Sequence, residues 1–292
     1  MPSDSEKTVH NFAGQSVENQ IREDAIASIT LSSAKVAPSA LTKILSEKYR
    51  LPPKQIMAIL RDLITEGELA YTYQFGTTYL ELSYNRPRKV SRFVMLHPPG
   101  HSVCPAPDEV AVQIQPGASF GDGRHPTTRL AIRGIESVLR YGCSGDNFSC
   151  AKVLDIGCGT GVLVIAAVSL GAASGLGLDL DACARAEASQ NVRLNALENR
   201  IEISGRPLGL IRDRFQMVTA NLRYPTLIRL RSQLGLLTSP DGVLVISGIR
   251  EFELNELLQL YAGQQWMCRW RQTEAGWAGA VLQRRECRRQ QN

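Results

Sequence analysis

The chain has 292 residues and a formal net charge of +5, with 43% hydrophobic and 21% charged residues. These values are typical of a globular protein with one large domain or two ordinary ones. So modest a positive charge does not by itself indicate nucleic acid. No run approaches the roughly 20 apolar residues of a membrane helix. We therefore expect a protein that does not span a membrane.

The seven cysteines are dispersed and include no CxxC pair. This pattern is typical of free thiols in a reducing cytosol and argues against a disulfide frame or a zinc site. Residues 1–20 are polar and lack the apolar core of a signal peptide. We therefore predict a cytoplasmic protein with no metal-ligand cluster and with a disordered tail over residues 1–20.

Residues 21–84 predict three helices followed by a hairpin, which is the element order of a winged helix. Apolar residues at helical spacing indicate the helices, and alternating runs indicate the strands. The predicted helices are Ile21–Leu31, Ala40–Tyr49 and a third that starts after Pro53 and ends at Gly67. The predicted strands are Leu69–Tyr73 and Thr77–Leu82.

A winged helix suggests DNA binding, but the charge of this segment does not favour that function. Between Ala40 and Tyr84, five basic residues are matched by five acidic ones, and the hairpin has no lysine or arginine after Tyr71. A module that takes its affinity from phosphates should be clearly positive. We therefore favour protein docking or substrate presentation, with nucleic acid as the open alternative.

Residues 85–92 are interpreted as a linker to a second domain over residues 93–285, which a basic tail at 286–292 follows. In the second domain, short apolar runs alternate with helical patterns. Five such strands, closed by an antiparallel pair near Trp266–Gln272 and Gly276–Gln283, predict a Rossmann-like doubly wound α/β sheet.

The most informative stretch is a glycine loop, Asp155-Ile156-Gly157-Cys158-Gly159-Thr160-Gly161. Glycines let the loop turn sharply and approach a ligand, and the helix that follows points its amides at that ligand. Asp179 ends the next strand, where a carboxylate can bind both ribose hydroxyls. The D-x-G-x-G-x-G spacing favours S-adenosylmethionine over a nicotinamide or flavin dinucleotide, or over a turn without a ligand.

A second stretch, Phe120-Gly121-Asp122-Gly123-Arg124-His125-Pro126-Thr127-Thr128, precedes an amphipathic helix. We interpret it as a loop across the cofactor, in which Phe120 stacks and a threonine hydroxyl bonds to the cofactor's amino-acid end. The alternative is that the threonines only cap the helix. His125 is better suited to a structural hydrogen bond than to base catalysis, because it precedes a proline at a helix start.

Together with the Ala220-Asn221 strand end, these two stretches resemble the PrmA family, which methylates large-subunit ribosomal protein eleven with S-adenosylmethionine. The resemblance runs from about Val90 to Arg285. The cofactor-binding residues that it implies are Phe120, Gly121, Thr128, Gly157, Asp179 and Asn221. From the glycine loop itself we add Asp155, Gly159 and Gly161.

The chain departs from the family pattern in three places. Asp122 and Arg124 stand where the family usually has threonines. The segment after Asn221 is Leu222-Arg223-Tyr224-Pro225, where the family has small apolar residues. The N-terminal part predicts a winged helix, whereas the family carries a ferredoxin-like substrate-recognition domain. We expect the catalytic residues of the family to have the same roles in this chain. We do not infer the identity of the substrate from the resemblance.

The expected reaction transfers a methyl group to an amine, a lysine side chain or an N-terminus, of a ribosomal or other protein. A sulfonium methyl is already activated, so the enzyme mainly has to position the amine. The predicted catalytic residues are Asn221, which can accept a bond from the amine, and Tyr224, which forms a wall beside it or only packs at the next helix.

Two alternatives to protein methylation stay open. Asn221-Leu222-Arg223-Tyr224 is similar to the N-P-P-Y box of amino methyltransferases, with both prolines missing. This similarity supports methylation of a nucleic-acid base amine. The third interpretation is a non-catalytic regulator that binds DNA through the winged helix and senses the cofactor.

Overall fold

The computed structural model describes residues 4–32, 34–74, 76–142, 150–264 and 266–284, with the backbone alone for 4–16. Contacts divide the chain into two units, Met1–Arg86 and Pro87–Asn292. None of the helices in the described ranges could span a membrane. The basic tail predicted over residues 286–292 lies outside them.

The first unit contains three helices and a hairpin in the predicted order. Its elements are α1 (Asp4–Leu31), α2 (Pro38–Tyr49), α3 (Pro53–Thr65), β1 (Leu69–Gln74) and β2 (Thr77–Leu82). β1 and β2 pair antiparallel, and Val36 adds one antiparallel bridge to Leu80. Ile21, Leu41 and Ile56, one from each helix, are buried in a common core.

The helix α1 is longer than the sequence predicted. It begins at Asp4 instead of Ile21, so it includes most of the segment that we expected to be a disordered tail. This earlier start was missed because the prediction relied on polarity. Polar residues are compatible with a helix, and no proline interrupts this segment.

The second unit alternates strands and helices along the chain. Its strands are β3 (Arg88–Lys89), β4 (Val94–His97), β5 (Val110–Gln113), β6 (Lys152–Ile156), β7 (Ser174–Leu178), β8 (Ile201–Ser204), β9 (Phe215–Asn221), β10 (Thr238–Arg250), β11 (Trp266–Glu274) and β12 (Trp277–Arg284). Its helices are α4 (Pro126–Tyr141), α5 (Val162–Ser169), α6 (Ala182–Leu194), α7 (Tyr224–Leu237) and α8 (Leu254–Ala262), with short 3-10 helices at Leu208–Leu210 and Glu251–Glu253.

Seven strands form one sheet in the order β11-β12-β10-β9-β6-β7-β8. Neighbouring strands run parallel, except that β12 is antiparallel to both β10 and β11. The chain runs outward from β6 to β8 and then crosses back to β9. The topological switch point is therefore between β6 and β9, where ligands bind at the carboxyl ends of the strands. The predicted doubly wound α/β sheet is confirmed.

The strand β6 and the helix α5 are buried, so they form a rigid frame for the loop between them. Val153 faces one hydrophobic core and Leu154 faces the other, as expected for a strand covered on both sides. Every residue of α5 from Val162 to Val168 is buried, which explains why this helix is apolar on all its faces.

A smaller sheet, β3-β4-β5, precedes the large one. β3 pairs antiparallel with β4, and β4 pairs parallel with β5. The division between the units falls after Arg86, inside the predicted linker at 85–92. Arg88–Lys89, however, is a strand of the second unit, and buried Glu136 accepts hydrogen bonds from the amides of Arg92 and Phe93. The second unit therefore begins before residue 93.

Candidate cofactor and active site

The glycine loop joins β6 to α5 and turns sharply at its three glycines. Gly157, Gly159 and Gly161 have φ angles of 70°, 53° and 78°, a region that favours glycine. Gly161 is the N-cap residue of α5, so the first amides of that helix face the loop. The amides of Gly157 and Cys158 donate to the carbonyl of Leu178 at 2.8 and 3.0 Å. The loop is thereby fixed beside the end of β7.

Asp179 follows β7 and lies directly against the glycine loop. Its Oδ2 accepts a hydrogen bond from the amide of Gly159 at 2.9 Å, and its Oδ1 accepts one from the amide of Asp181 at 3.0 Å. Each carboxylate oxygen has two lone pairs, so both can accept a further bond from a ligand hydroxyl. Asp179 can therefore accept further hydrogen bonds beside the glycine loop, and its contact with ribose hydroxyls stays a prediction.

The loop that carries Phe120 is fastened to the glycine loop. The amide of Thr160 donates to the carbonyl of Phe120 at 3.0 Å, and the Thr160 hydroxyl donates to the carbonyl of Gly121 at 2.9 Å. A Cβ on Gly121 would lie 2.6 Å from Thr160 Oγ1. Phe120 is 53% exposed. The two predicted stretches are therefore neighbours, and the role of Phe120 in stacking on the cofactor stays a prediction.

Thr128 contributes a buried hydroxyl to the candidate site. It lies in the first turn of α4 and is fully buried, and its Oγ1 has no hydrogen-bond partner within the described ranges. The hydroxyl of the preceding Thr127, in contrast, contacts His125 Nδ1 at 2.8 Å. Burying a hydroxyl without a partner costs free energy, so Thr128 Oγ1 is well suited to a ligand contact.

Asp155 contributes a second such oxygen. It is fully buried in β6, and its Oδ1 accepts a hydrogen bond from the Thr219 hydroxyl at 2.7 Å. Its Oδ2 is buried and has no hydrogen-bond partner among the residues that the structure describes. Burial raises the pKa of Asp155 to about 7, although the Thr219 bond and then a contact with the backbone of Val164 work against this. A cationic ligand group would satisfy Oδ2 and lower that pKa.

His125 has the structural role that the sequence favoured. It is the N-cap residue of α4, where its side chain accepts a hydrogen bond from the amide of Thr127. Its ring centroid lies 5.2 Å from that of Phe120 and 4.7 Å from that of Trp277. The Arg250 guanidinium lies 3.8 Å from the centroid of the Trp277 ring. Burial, and then nearby arginines, lower the pKa of His125.

Asn221 ends β9 at the switch point. The amide of Leu222 donates to the carbonyl of Ser247 at 3.1 Å, and a Cβ on Gly248 would lie 2.5 Å from the Leu222 carbonyl oxygen. A Cβ on Gly157 would lie 3.0 Å from Leu222 Cδ2, so the segment after Asn221 touches the glycine loop. The half-buried Asn221 side chain makes no hydrogen bond to the described part of the chain and is available to a ligand.

Tyr224 is the first residue of α7 and is half-buried. Its side chain packs against the core that includes Leu227, and its hydroxyl faces Glu256 of α8. Partial burial, and then a hydrogen bond with Glu256, raise the pKa of Tyr224. These contacts account for packing at the head of the helix. A role as a wall beside the acceptor amine stays a prediction.

Sequence reasoning missed two sets of residues that hold the site together. Arg129 and Arg133 of α4 both bind Glu274 of β11. Glu187 and Asn191 of α6 bind the backbone of the loop that leads to Phe120. The signal available was polar residues four positions apart, which lie on one face of a helix. Spacing alone does not reveal a partner that is distant in the sequence.

The family model described as ribosomal protein L11 methyltransferase (PrmA) matches residues 79–285. The chain belongs to this family. The resemblance inferred from the glycine loop, the Phe120–Thr128 stretch and Asn221 is thereby confirmed. The match begins within β2, so most of the first unit lies outside it.

Individual family members show how much of the chain is shared. The ribosomal protein L11 methyltransferase of Heliobacterium modesticaldum is 32% identical over 203 residues, 69% of this chain and 62% of that protein. The one from Geobacter sulfurreducens is 36% identical over 163 residues, 56% and 51% respectively. A crystal structure of the ribosomal protein L11 methylase from Lactobacillus delbrueckii subsp. bulgaricus is 28% identical with a TM-score of 0.61, covering 69% of this chain and 100% of that chain. The chain spans about half to three-fifths of the length of these curated relatives.

The residues of the site fit S-adenosylmethionine. The glycine loop offers backbone amides without a side chain in the way, and the Asp179 carboxylate can still accept hydrogen bonds. Thr128 Oγ1 and Asp155 Oδ2 are buried and without partners among the described residues. An ammonium group and a carboxylate, as in the amino-acid end of this cofactor, provide the complementary donors and acceptors.

Proposed function

We propose that the chain is an S-adenosylmethionine-dependent N-methyltransferase that modifies an amine of a protein. The proposal is carried by two buried oxygens that have no hydrogen-bond partner among the described residues, Thr128 Oγ1 and Asp155 Oδ2, in a chain of this family. Bound here, S-adenosylmethionine supplies an activated sulfonium methyl group. The remaining chemistry is the work of the chain's own residues.

The positions of the side chains support the following binding roles. Asp179 accepts hydrogen bonds from the ribose hydroxyls, and the glycine loop allows close approach of the nucleoside. Asp155 and Thr128 take the amino-acid end, because a buried carboxylate favours a cationic amine. Phe120 covers the bound molecule from the loop fastened to Thr160.

Asn221 orients the acceptor amine. Its side-chain oxygen can accept a hydrogen bond from an amine without adding charge. A lysine must first lose a proton from a group whose reference pKa is about 10.4, and an apolar entrance lowers that value because it disfavours the charged form. Orientation of two reactants can supply about 7–11 kcal/mol, which is the main contribution required of these residues.

The relatives are named for ribosomal protein L11, and we propose a ribosomal or other protein as the acceptor. The ion pairs of the first unit support protein over nucleic acid, because they neutralise basic side chains that would otherwise attract phosphates. The pairs are Arg22–Glu66, Lys48–Asp24 and Arg86–Glu68. We assign the first unit as a winged-helix domain that docks a protein, and the whole chain to the cytoplasm.

Transfer of labelled methyl to a bacterial lysate tests the acceptor class. Purified chain and labelled S-adenosylmethionine are added to lysate and to purified ribosomal protein L11, and products are treated with protease or nuclease. We expect protease-sensitive label on an amine. Nuclease-sensitive label would favour base methylation instead. Absence of transfer together with strong duplex binding by the chain would favour the DNA-binding regulator.

A further inference from the structure

The face of α6 that looks toward β5 carries three polar side chains spaced four residues apart. Asn195 just past the helix accepts a hydrogen bond from the amide of Gln113 at 2.9 Å and donates one to its carbonyl at 2.7 Å. Asn191 accepts from the amide of Gln115 at 3.0 Å. Residues 113 and 115 are alternate positions, so their amides point to the same side. These side chains bind backbone groups on the edge of β5 that pairs with no strand of the described ranges.

The third side chain, Glu187, binds the tip of the loop that follows. Its Oε1 accepts from the amide of Ala118 at 2.9 Å, and its Oε2 accepts from the amide of Ser119 at 3.0 Å. One carboxylate therefore holds two consecutive amides, and bonds to a charged acceptor are the stronger kind. Gly117 fits this contact closely, because a Cβ there would lie 2.4 Å from Glu187 Oε2.

Thr160 holds the far end of this loop at the carbonyls of Phe120 and Gly121, and the part before Phe120 buries little. Ile114 before it and Gly121 after it are buried, but residues 115–120 are exposed or half-buried. A segment that buries little apolar surface depends on its hydrogen bonds and opens at low cost when they are lost. Asn191 is 1% exposed and also donates to the Thr160 carbonyl at 2.9 Å. Asn191 is thus a fixed anchor, whereas half-buried Glu187 is the contact that can be released.

We propose that Glu187 is a positioning residue that holds the Gly117–Gly121 loop closed over the glycine loop and so sets how long the cofactor stays bound. The inference rests on the proposed function, since the ligand under the loop is S-adenosylmethionine. Glu187 acts only through the backbone of residues 118 and 119. Phe120 follows directly, so release of these two amides lets the segment before Phe120 move while the Thr160 amide still holds the Phe120 carbonyl.

The charge state of Glu187 is consistent with this role. Partial burial alone would raise its pKa, but hydrogen bonds from Ser119 and from the amide of Ala118 outweigh burial and hold the pKa below its ordinary value. The carboxylate is therefore ionised at neutral pH. A glutamine at this position keeps the shape and one acceptor oxygen, and an alanine keeps neither.

Four variants of the full chain test the proposal. Glu187→Gln, Glu187→Ala and Gly117→Ala all weaken the contact, and Glu198→Gln is the matched control because Glu198 is an exposed acid just beyond α6. Two readouts are taken: the dissociation rate of S-adenosylmethionine by stopped flow, and hydrogen exchange of the amides of residues 118 and 119 in the ligand-free chain.

We expect dissociation to become about tenfold faster in Glu187→Ala and in Gly117→Ala, with association little changed, and an intermediate value in Glu187→Gln. Exchange at residues 118 and 119 should rise in the same order, while the thermal midpoint and the control stay near those of the unchanged chain. Unchanged dissociation and exchange in Glu187→Ala would overturn the proposal. If the unchanged chain binds no S-adenosylmethionine, the proposed function fails and, with it, the role of Glu187 in cofactor residence. Unchanged exchange in Glu187→Ala would by itself refute the claim that Glu187 holds the loop.

Discussion

The carbonyl oxygen of Phe120 lies 2.2 Å from the position that a Cβ on Gly159 would occupy. The two residues are 39 positions apart in the sequence, yet only a hydrogen at Gly159 allows their backbones to meet. The same Phe120 oxygen accepts the Thr160 amide. The loop that carries Phe120 and the glycine loop are therefore packed backbone to backbone.

Gly159→Ala should disrupt the contact between these two loops. The added methyl group meets a backbone atom that cannot rotate away, at a φ of 53°. We expect a loss of about 2–4 kcal/mol in the free energy of unfolding, together with loss of cofactor binding. Gly100→Ala is the control, because Gly100 has a φ of 83° but nothing within 4 Å of its Cβ position. Equal losses for both would show that the contact with Phe120 is unimportant; denaturant unfolding measures them.

Thr128→Val should affect stability and binding in opposite directions. Removing a buried hydroxyl that has no partner in the described structure should leave the free energy of unfolding unchanged or raise it by up to about 1 kcal/mol. The affinity for S-adenosylmethionine should fall about tenfold. Thr219→Val is the contrasting variant, since its hydroxyl donates to Asp155 and its loss should destabilise by about 1–3 kcal/mol. Unaltered affinity in Thr128→Val would argue against this contact.

Asp155→Asn should change how stability depends on pH. Its pKa in the folded chain is raised from 3.8 to about 7, so the folded state binds the proton more tightly than the unfolded state. The resulting stability is fully present below about pH 4 and is lost as the pH rises through 7. The asparagine variant lacks this loss. Relative to the unchanged chain it should therefore gain about 1–3 kcal/mol between pH 5 and pH 8 in ligand-free urea titrations.

Asp155→Asn should weaken cofactor binding although it raises the stability of the ligand-free chain. An asparagine can no longer offer a charged Oδ2 to an ammonium group, so S-adenosylmethionine should bind at least tenfold more weakly at pH 8. A variant that binds as tightly as the unchanged chain, or that gains no stability at pH 8, contradicts the assigned environment of this carboxylate.

Asn221→Ala should lower the rate of methyl transfer without unfolding the chain. The Asn221 side chain makes no hydrogen bond to the described residues, so stability should change by less than about 1 kcal/mol. The turnover number should fall on the order of 10–100-fold, because the acceptor amine loses its orienting oxygen. Asn199→Ala, at an exposed position, is the control. Transfer at the unchanged rate would exclude Asn221 from the reaction.

Much of the fold could be predicted because its signals are local. The buried strands before Gly157 and Asp179, the apolar helix between them and the closing antiparallel pair follow from periodicity and glycine position. The start of α1 was missed, because a polar helix without prolines has the same composition as a disordered tail. The strand at Arg88–Lys89 was missed because its identity depends on pairing with β4.

The site also contains residues that local sequence marks and residues that it does not. The glycine loop, Asp179 and Thr128 are marked by spacing and by their place at element ends, so the sequence indicates them. Glu187 and Glu274 are ordinary surface residues in the sequence. Their partners lie at residues 118, 119, 129 and 133, and only the folded chain brings them together.

Calorimetric titration of S-adenosylmethionine into the unchanged chain and into Asp179→Ala tests the central claim most directly. Asp179 lies at the end of β7 and accepts the Gly159 amide, so the account places the ribose beside it. The predicted result is saturable binding by the unchanged chain and at least tenfold weaker binding by the variant. No binding by the unchanged chain, or equal affinity in the two proteins, would contradict the assignment of this site.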